Sequence, residues 1–196
     1  MCFTTRVTLA AAGVGCALVL TNVAQALAAS PNSRLKGAYA VLIEGNCIYA
    51  PGGLNSSDQP ENPAKSFLRL LHFQGVETFD GTGKLSGKLA GLNIDGTSAE
   101  LHSPGAGSFQ FSVEGIYEVG PHGEVTFASQ GTGTILTGPL AGQTFSATYP
   151  SWSGYISGDN KTLLLGTNGT VASTLTPSKG EALARICSFN QVGTRM

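Results

Sequence analysis

The residues able to do chemistry are few and scattered. His72, His102 and His122 are the only histidines; none is spaced as a pair of metal ligands and none flanks an acidic cluster, so no metal site is expected. Ser153 lies in Trp152-Ser153-Gly154, and neither it nor any other serine sits in a G-x-S-x-G frame. The glycine-rich stretches end in no G-K-[ST], and no phosphate loop or other cofactor signature is present. Three carboxylates remain. Glu114 and Glu118 alternate with apolar residues and are expected to face solvent. Glu44 follows a run that is apolar on both faces, which makes it the one catalytic candidate. A carboxylate buried in an apolar cup has a raised pKa and can serve as an acid or a base. Cys47 and Cys187 lie in no C-x-x-C and beside no histidine. A disulfide is the expected reading, with a reactive thiol or a metal pair as the alternative. Tyr39, Phe79, Phe109, Phe111, Tyr117 and Phe127 form an aromatic set that either fills a core or walls a small ligand site.

These residues need a scaffold, and composition narrows its class. Charged residues make up 12% of the 196, about half the usual share, and 27 are glycine. With 41% hydrophobic residues, the chain can fill a core. This balance suits an all-β protein rich in turns. The first 28 residues read as a secretory signal peptide. Arg6 is the basic start, Val7 to Leu20 the apolar stretch and Ala26-Leu27-Ala28 the cleavage site. Cys2 and Cys16 leave with it, so Cys47 and Cys187 remain. No other segment is long and apolar enough for a membrane-spanning helix. The remaining chain carries ten basic and twelve acidic residues, without a basic run, which argues against nucleic acid as a partner. The expected location is secreted or periplasmic. Asn55, Asn160 and Asn168 stand in glycosylation sequons that matter only in a eukaryotic secretory pathway.

Residues 29–196 are expected to form one domain. Phe73 to Leu92 reads as strand, turn and returning strand, with Asp80-Gly81-Thr82-Gly83 as the turn. Leu35 to Ile43 reads as a first strand buried on both faces and ended by Glu44. A long polar loop, Pro51 to Pro63, follows. Ala64 to Phe73 fits helix or strand, and its β surroundings favour strand. Ser98 to His102 is a short strand. Ser108 to Val119 alternates most cleanly, with Ile116 as the exception and Gly115 as a bulge or bend. Further strands are expected at Val125–Phe127, Gly133–Leu136, Thr144–Tyr149, Ser153–Ser157, Thr162–Gly166, Val171–Leu175 and Ala184–Phe189. Similar turns recur at Asp80–Gly83, Gly120–Gly123 and Gly158–Asn160. A single up-and-down barrel of about eight strands fits this length, and closure removes exposed strand edges.

Leu35-Lys-Gly37-Ala-Tyr39 with Cys47, Val76-Glu-Thr-Phe79-Asp80-Gly81-Thr-Gly83, Gly115-Ile-Tyr117-Glu-Val119 with Gly123, and Ala184-Arg185-Ile186-Cys187 together resemble small exported bacterial proteins. Those proteins look like calycin-type barrels, the architecture of lipocalins and of the allene oxide cyclase barrel. The resemblance implies a fold and an exported location and transfers no catalytic residue. Where many such chains carry an Asp-Cys-x-Gly turn, this one has Pro121-His122-Gly123, which favours pairing of the two remaining cysteines. The functional expectation is a non-catalytic exported module that binds a small apolar ligand or acts as an envelope or interaction protein. The alternative is a cofactor-independent barrel isomerase or cyclase using a buried carboxylate. An ionisable group facing the barrel interior is what separates the two.

Overall fold

The computed structural model describes residues 30–96, 105–167 and 172–196. The expected signal peptide and the expected strand Ser98–His102 lie outside the described residues. Nine strands follow in order: β1 Lys36–Ala50, β2 Phe67–Asp80, β3 Lys84–Asp95, β4 Ala106–Val119, β5 Glu124–Ile135, β6 Thr144–Ile156, β7 Thr162–Thr167, β8 Ala172–Pro177 and β9 Leu183–Arg195. Each of β1 to β6 pairs antiparallel with the next. Between β6 and β9, β7 and β8 lie end to end and share one stave. β9 returns to β1, from Tyr39 opposite Arg195 to Ala50 opposite Ala184. The result is a closed antiparallel barrel of eight staves. Its registers climb steeply. A path from Tyr39 through Glu77, Gly87, Val113, Gly131, Ala147, Leu175 and Leu183 returns to β1 about 12 residues further on.

Alternation decides which side chains fill the interior. β1 sends Tyr39, Val41, Ile43, Cys47 and Tyr49 inward, and β4 sends Phe109, Phe111, Val113, Tyr117 and Val119. Ile116, out of step with that row, is 67% exposed. Aromatic rings dominate the core. Phe73 meets Phe109 at 5.3 Å and Phe111 at 5.4 Å, while Trp152 stacks between Phe127 and Phe189. Gly115 belongs to the inward row, yet the register is continuous through it, so it is not the site of a bulge. A Cβ there would strike the Ala128 carbonyl. The bulge lies beside it. Ala128 faces two residues of β6, Pro150 and Ser151, which lets a proline sit in a long strand and joins the two segments expected there into one.

Three other expectations are revised. β1 does not stop at Glu44. Gly45 leaves room for the Phe189 ring, and pairing continues to Ala50. Nor is β1 buried on both faces, because no second layer among the described residues covers it and Leu42 points outward at 42% exposure. Of Ala64 to Phe73, Pro63–Lys65 forms a single 3-10 turn and Phe67 onward is β2.

The two ends of the barrel differ. At one end a 3-10 turn, Pro31–Arg34, lies across the opening and leads into the fully buried Leu35. Asn32 Oδ1 accepts the Val119 N–H at 2.7 Å. Tyr117 donates its hydroxyl to the Leu35 carbonyl at 2.7 Å and accepts the Gly81 N–H at 2.8 Å. Tyr39 donates to the Asn160 carbonyl at 2.8 Å. The β2–β3 turn at this end is held by Asp80, whose Oδ1 accepts the N–H groups of Thr82, Gly83 and Lys84. Those bonds hold the Asp80 carboxyl well below its ordinary pKa, the Thr82 hydroxyl bond contributing most. Gly81 and Gly83 take the positive φ that this turn requires.

Cys47 and Cys187 face each other directly across β1 and β9 and form a disulfide, with Cα atoms 4.1 Å apart. The bond crosses the seam where the barrel closes.

Candidate functional site

The other end, where the connection from β3 to β4 lies outside the described residues, holds a cavity. The inward rows of β1, β2, β4, β6, β8 and β9 surround it, and its volume is about 150 Å³. Its walls are apolar: Phe67, Leu71, Phe73, Phe109 and Phe145 on one side, and Ile135, Leu140, Leu175, Pro177 and Leu183 around the rim. Tyr49 and Tyr149 complete the aromatic lining, and Tyr49 stacks on Phe67 at 5.2 Å.

Two arginines and Asn93 are the polar members. Arg69 is neutralised. Its Nε and Nη2 donate to the two oxygens of Asp95, the latter at 2.8 Å, and Asn93 Nδ2 donates to Asp95 as well at 2.9 Å. The same guanidinium lies over the Tyr49 ring at 4.7 Å. Arg185 is different. It is 2% exposed and has no carboxylate within ion-pair reach among the described residues. Nε donates to Ser173 Oγ at 2.9 Å, Nη1 to the Tyr49 hydroxyl at 3.2 Å and Nη2 to the Thr148 carbonyl at 3.2 Å. The guanidinium lies 4.9 Å from the Tyr149 ring centroid. Burial pushes the Tyr149 phenol's pKa up, and Arg185 opposes this only in part, so the phenol stays neutral and supplies no counter-charge.

A second ionisable group faces inward, deeper in the barrel. Glu77 is 2% exposed and accepts a hydrogen bond from Gln191 Nε2 at 2.7 Å. Burial raises its pKa to about 7, the Gln191 bond opposing. Gln191 Oε1 is buried and has no hydrogen-bond partner among the described residues. Protonated Glu77 can donate to it, so burial and the unpartnered amide oxygen both favour the neutral form. Glu77 does not line the cavity.

Glu44 lies on the outer wall, its side chain 70% exposed and 3.7 Å from His72. The condition that made it a catalytic candidate, a carboxylate facing the interior, is met instead by Glu77. All six expected ligand-lining aromatics are buried inside the barrel, but only Phe109 lines the cavity. Tyr39, Phe79 and Tyr117 pack edge-to-face toward the capped end, Phe127 stacks on Trp152, and Phe111 lies behind Phe109. Glu77 and Arg185 were overlooked, although the pattern holds both. Glu77 shares the parity of Phe73 and Phe79, and Arg185 that of Cys187 and Phe189. Among the described residues, no cluster of three or more His, Cys, Asp or Glu could hold a metal ion. A larger, open depression of about 670 Å³ lies on the outer wall along β3 to β5, floored by short residues such as Ser86, Gly115, Ala128 and Ser129. It contains no buried charged group.

No protein-family model matches the chain, and no curated protein and no solved structure matches it either. The all-antiparallel eight-stave barrel is consistent with a calycin-like architecture.

Proposed function

We propose that this chain is an exported, non-catalytic barrel that holds a small apolar ligand in the cavity at the end opposite the Pro31–Arg34 turn. The observation that carries the reading is the asymmetry of the barrel. One end is sealed by Pro31–Leu35, while the other keeps an aromatic-lined cavity of about 150 Å³ with a few polar groups at fixed positions. The Cys47–Cys187 disulfide supports an oxidising, exported setting. No helix among the described residues is long and apolar enough to cross a membrane.

The test is native mass spectrometry of the protein purified from its own host, followed by denaturation and extraction. The expected result is a small apolar adduct, released on denaturation and missing from Leu175→Trp, which fills the cavity with a ring. An adduct that persists in a folded Leu175→Trp protein, or a bare wild-type mass, contradicts the reading. Glu77 favours a second reading, the acid–base isomerase or cyclase, because it is an interior carboxylate with a raised pKa. Its enclosure with Gln191, away from the cavity, supports the binding reading over that one.

A further inference from the structure

The cavity has an electrostatic feature that its apolar walls do not explain. Buried charges in folded proteins are paired, because an isolated one forfeits its hydration without return. Arg69 obeys this through Asp95. Arg185, more deeply buried, does not among the described residues; its hydrogen bonds there go to a serine hydroxyl, a tyrosine hydroxyl and a backbone carbonyl. A guanidinium remains charged at any physiological pH and carries five N–H donors. Three are engaged, which leaves two, both on the terminal Nη atoms. The residues lining the cavity include no Asp or Glu. Among the described residues the cavity therefore has an apolar wall, a rim of Leu140, Leu175 and Leu183, and one positive charge without a carboxylate partner.

We infer that the ligand is a small apolar monoanion, a short carboxylic acid whose carboxylate accepts hydrogen bonds from the remaining Nη N–H groups of Arg185 while its hydrocarbon part lies against Phe73, Phe109 and Phe145. This rests on the cavity being a ligand site. The volume sets the size, since a dry apolar cavity of roughly 150 Å³ accommodates a single benzene ring. Benzoate or hexanoate fits that scale, and a long-chain fatty acid does not. The Tyr149 ring, its centroid 4.9 Å from the guanidinium carbon, and the Tyr49 hydroxyl, which accepts from Nη1, help to hold the guanidinium in place.

The test compares hexanoate with hexanamide, which has nearly the same shape and no charge, by isothermal titration calorimetry of the disulfide-bonded protein in chloride-free buffer. Hexanoate is expected to bind about tenfold to a hundredfold more tightly than hexanamide, the usual gain of a charge-assisted hydrogen bond. That difference should vanish in Arg185→Met. The wild-type comparison stands even where Arg185→Met does not fold. Equal binding of acid and amide overturns the anion inference and leaves the cavity as a neutral apolar site. Binding of neither overturns both.

Discussion

Glu77 and Arg185 are both charged residues in the inward rows of their strands, yet burial acts on them oppositely. The carboxyl can shed its charge, and burial favours this by raising its pKa to about 7. The guanidinium cannot, and keeps its charge in need of an anion. Because the pKa of Glu77 is higher folded than unfolded, the folded state binds more protons between about 4.5 and about 7. The Glu77 contribution to stability is therefore full below pH 4.5 and lost as pH rises through about 7. Chemical denaturation at a series of pH values should show wild-type stability falling across that window by up to about 3 kcal/mol relative to Glu77→Gln. A parallel pair of profiles would contradict the assignment. Asp80 acts with the opposite sign, since its lowered pKa contributes stability that is lost as acid protonates it, and Glu77→Gln should leave that acid limb unchanged. At this scale the sequence was partly legible. Alternation sorted Glu114 and Glu118 to the outside, but Glu44 drew attention through its apolar neighbours although its own parity pointed outward.

At the scale of elements, strands with strong alternation and firm turns were legible: Phe73–Leu92 matches the β2–β3 hairpin, and Ser108–Val119 matches most of β4. What local pattern could not carry were features settled across strands. The extension of β1 depends on the Phe189 ring packing over Gly45, and the unbroken β6 depends on a bulge opposite Ala128. Gly115 gives the sharpest test. Gly115→Ala forces a Cβ against the Ala128 carbonyl and should destabilise the barrel by about 1–3 kcal/mol in urea unfolding. Ala128→Gly, which leaves that carbonyl in place, should not rescue it. The cap is a separable element. Asn32→Ala removes the acceptor for the buried Val119 N–H and should cost about 1–2 kcal/mol, with faster amide exchange at Val119 and Gly81 as the local sign.

For the whole molecule, closure is the governing fact. Closing the sheet removes every free edge, and the Cys47–Cys187 bond lies across the closing seam, spanning 140 residues of sequence. Loop-closure entropy for that span gives an upper figure of about 5 kcal/mol. The Cys47→Ala/Cys187→Ala double variant should melt well below the oxidised wild type and level with the reduced one. Composition and turn spacing were enough to indicate a barrel, because few architectures accommodate so many short alternating strands with so little charge. The difference between its two ends was not legible, since the cap and the cavity are assembled from residues far apart in the chain, Asn32 with Val119 and Tyr49 with Arg185. That difference is the centre of the functional account, and methyl-detected NMR during a hexanoate titration tests it most directly. The account predicts saturable shifts at Leu71, Ile135, Leu175 and Leu183 around the cavity, with Leu35, Val119 and Val125 at the capped end unmoved. Shifts confined to outward methyls such as Leu42, Ile48 and Leu68, or no shifts at all, would contradict it.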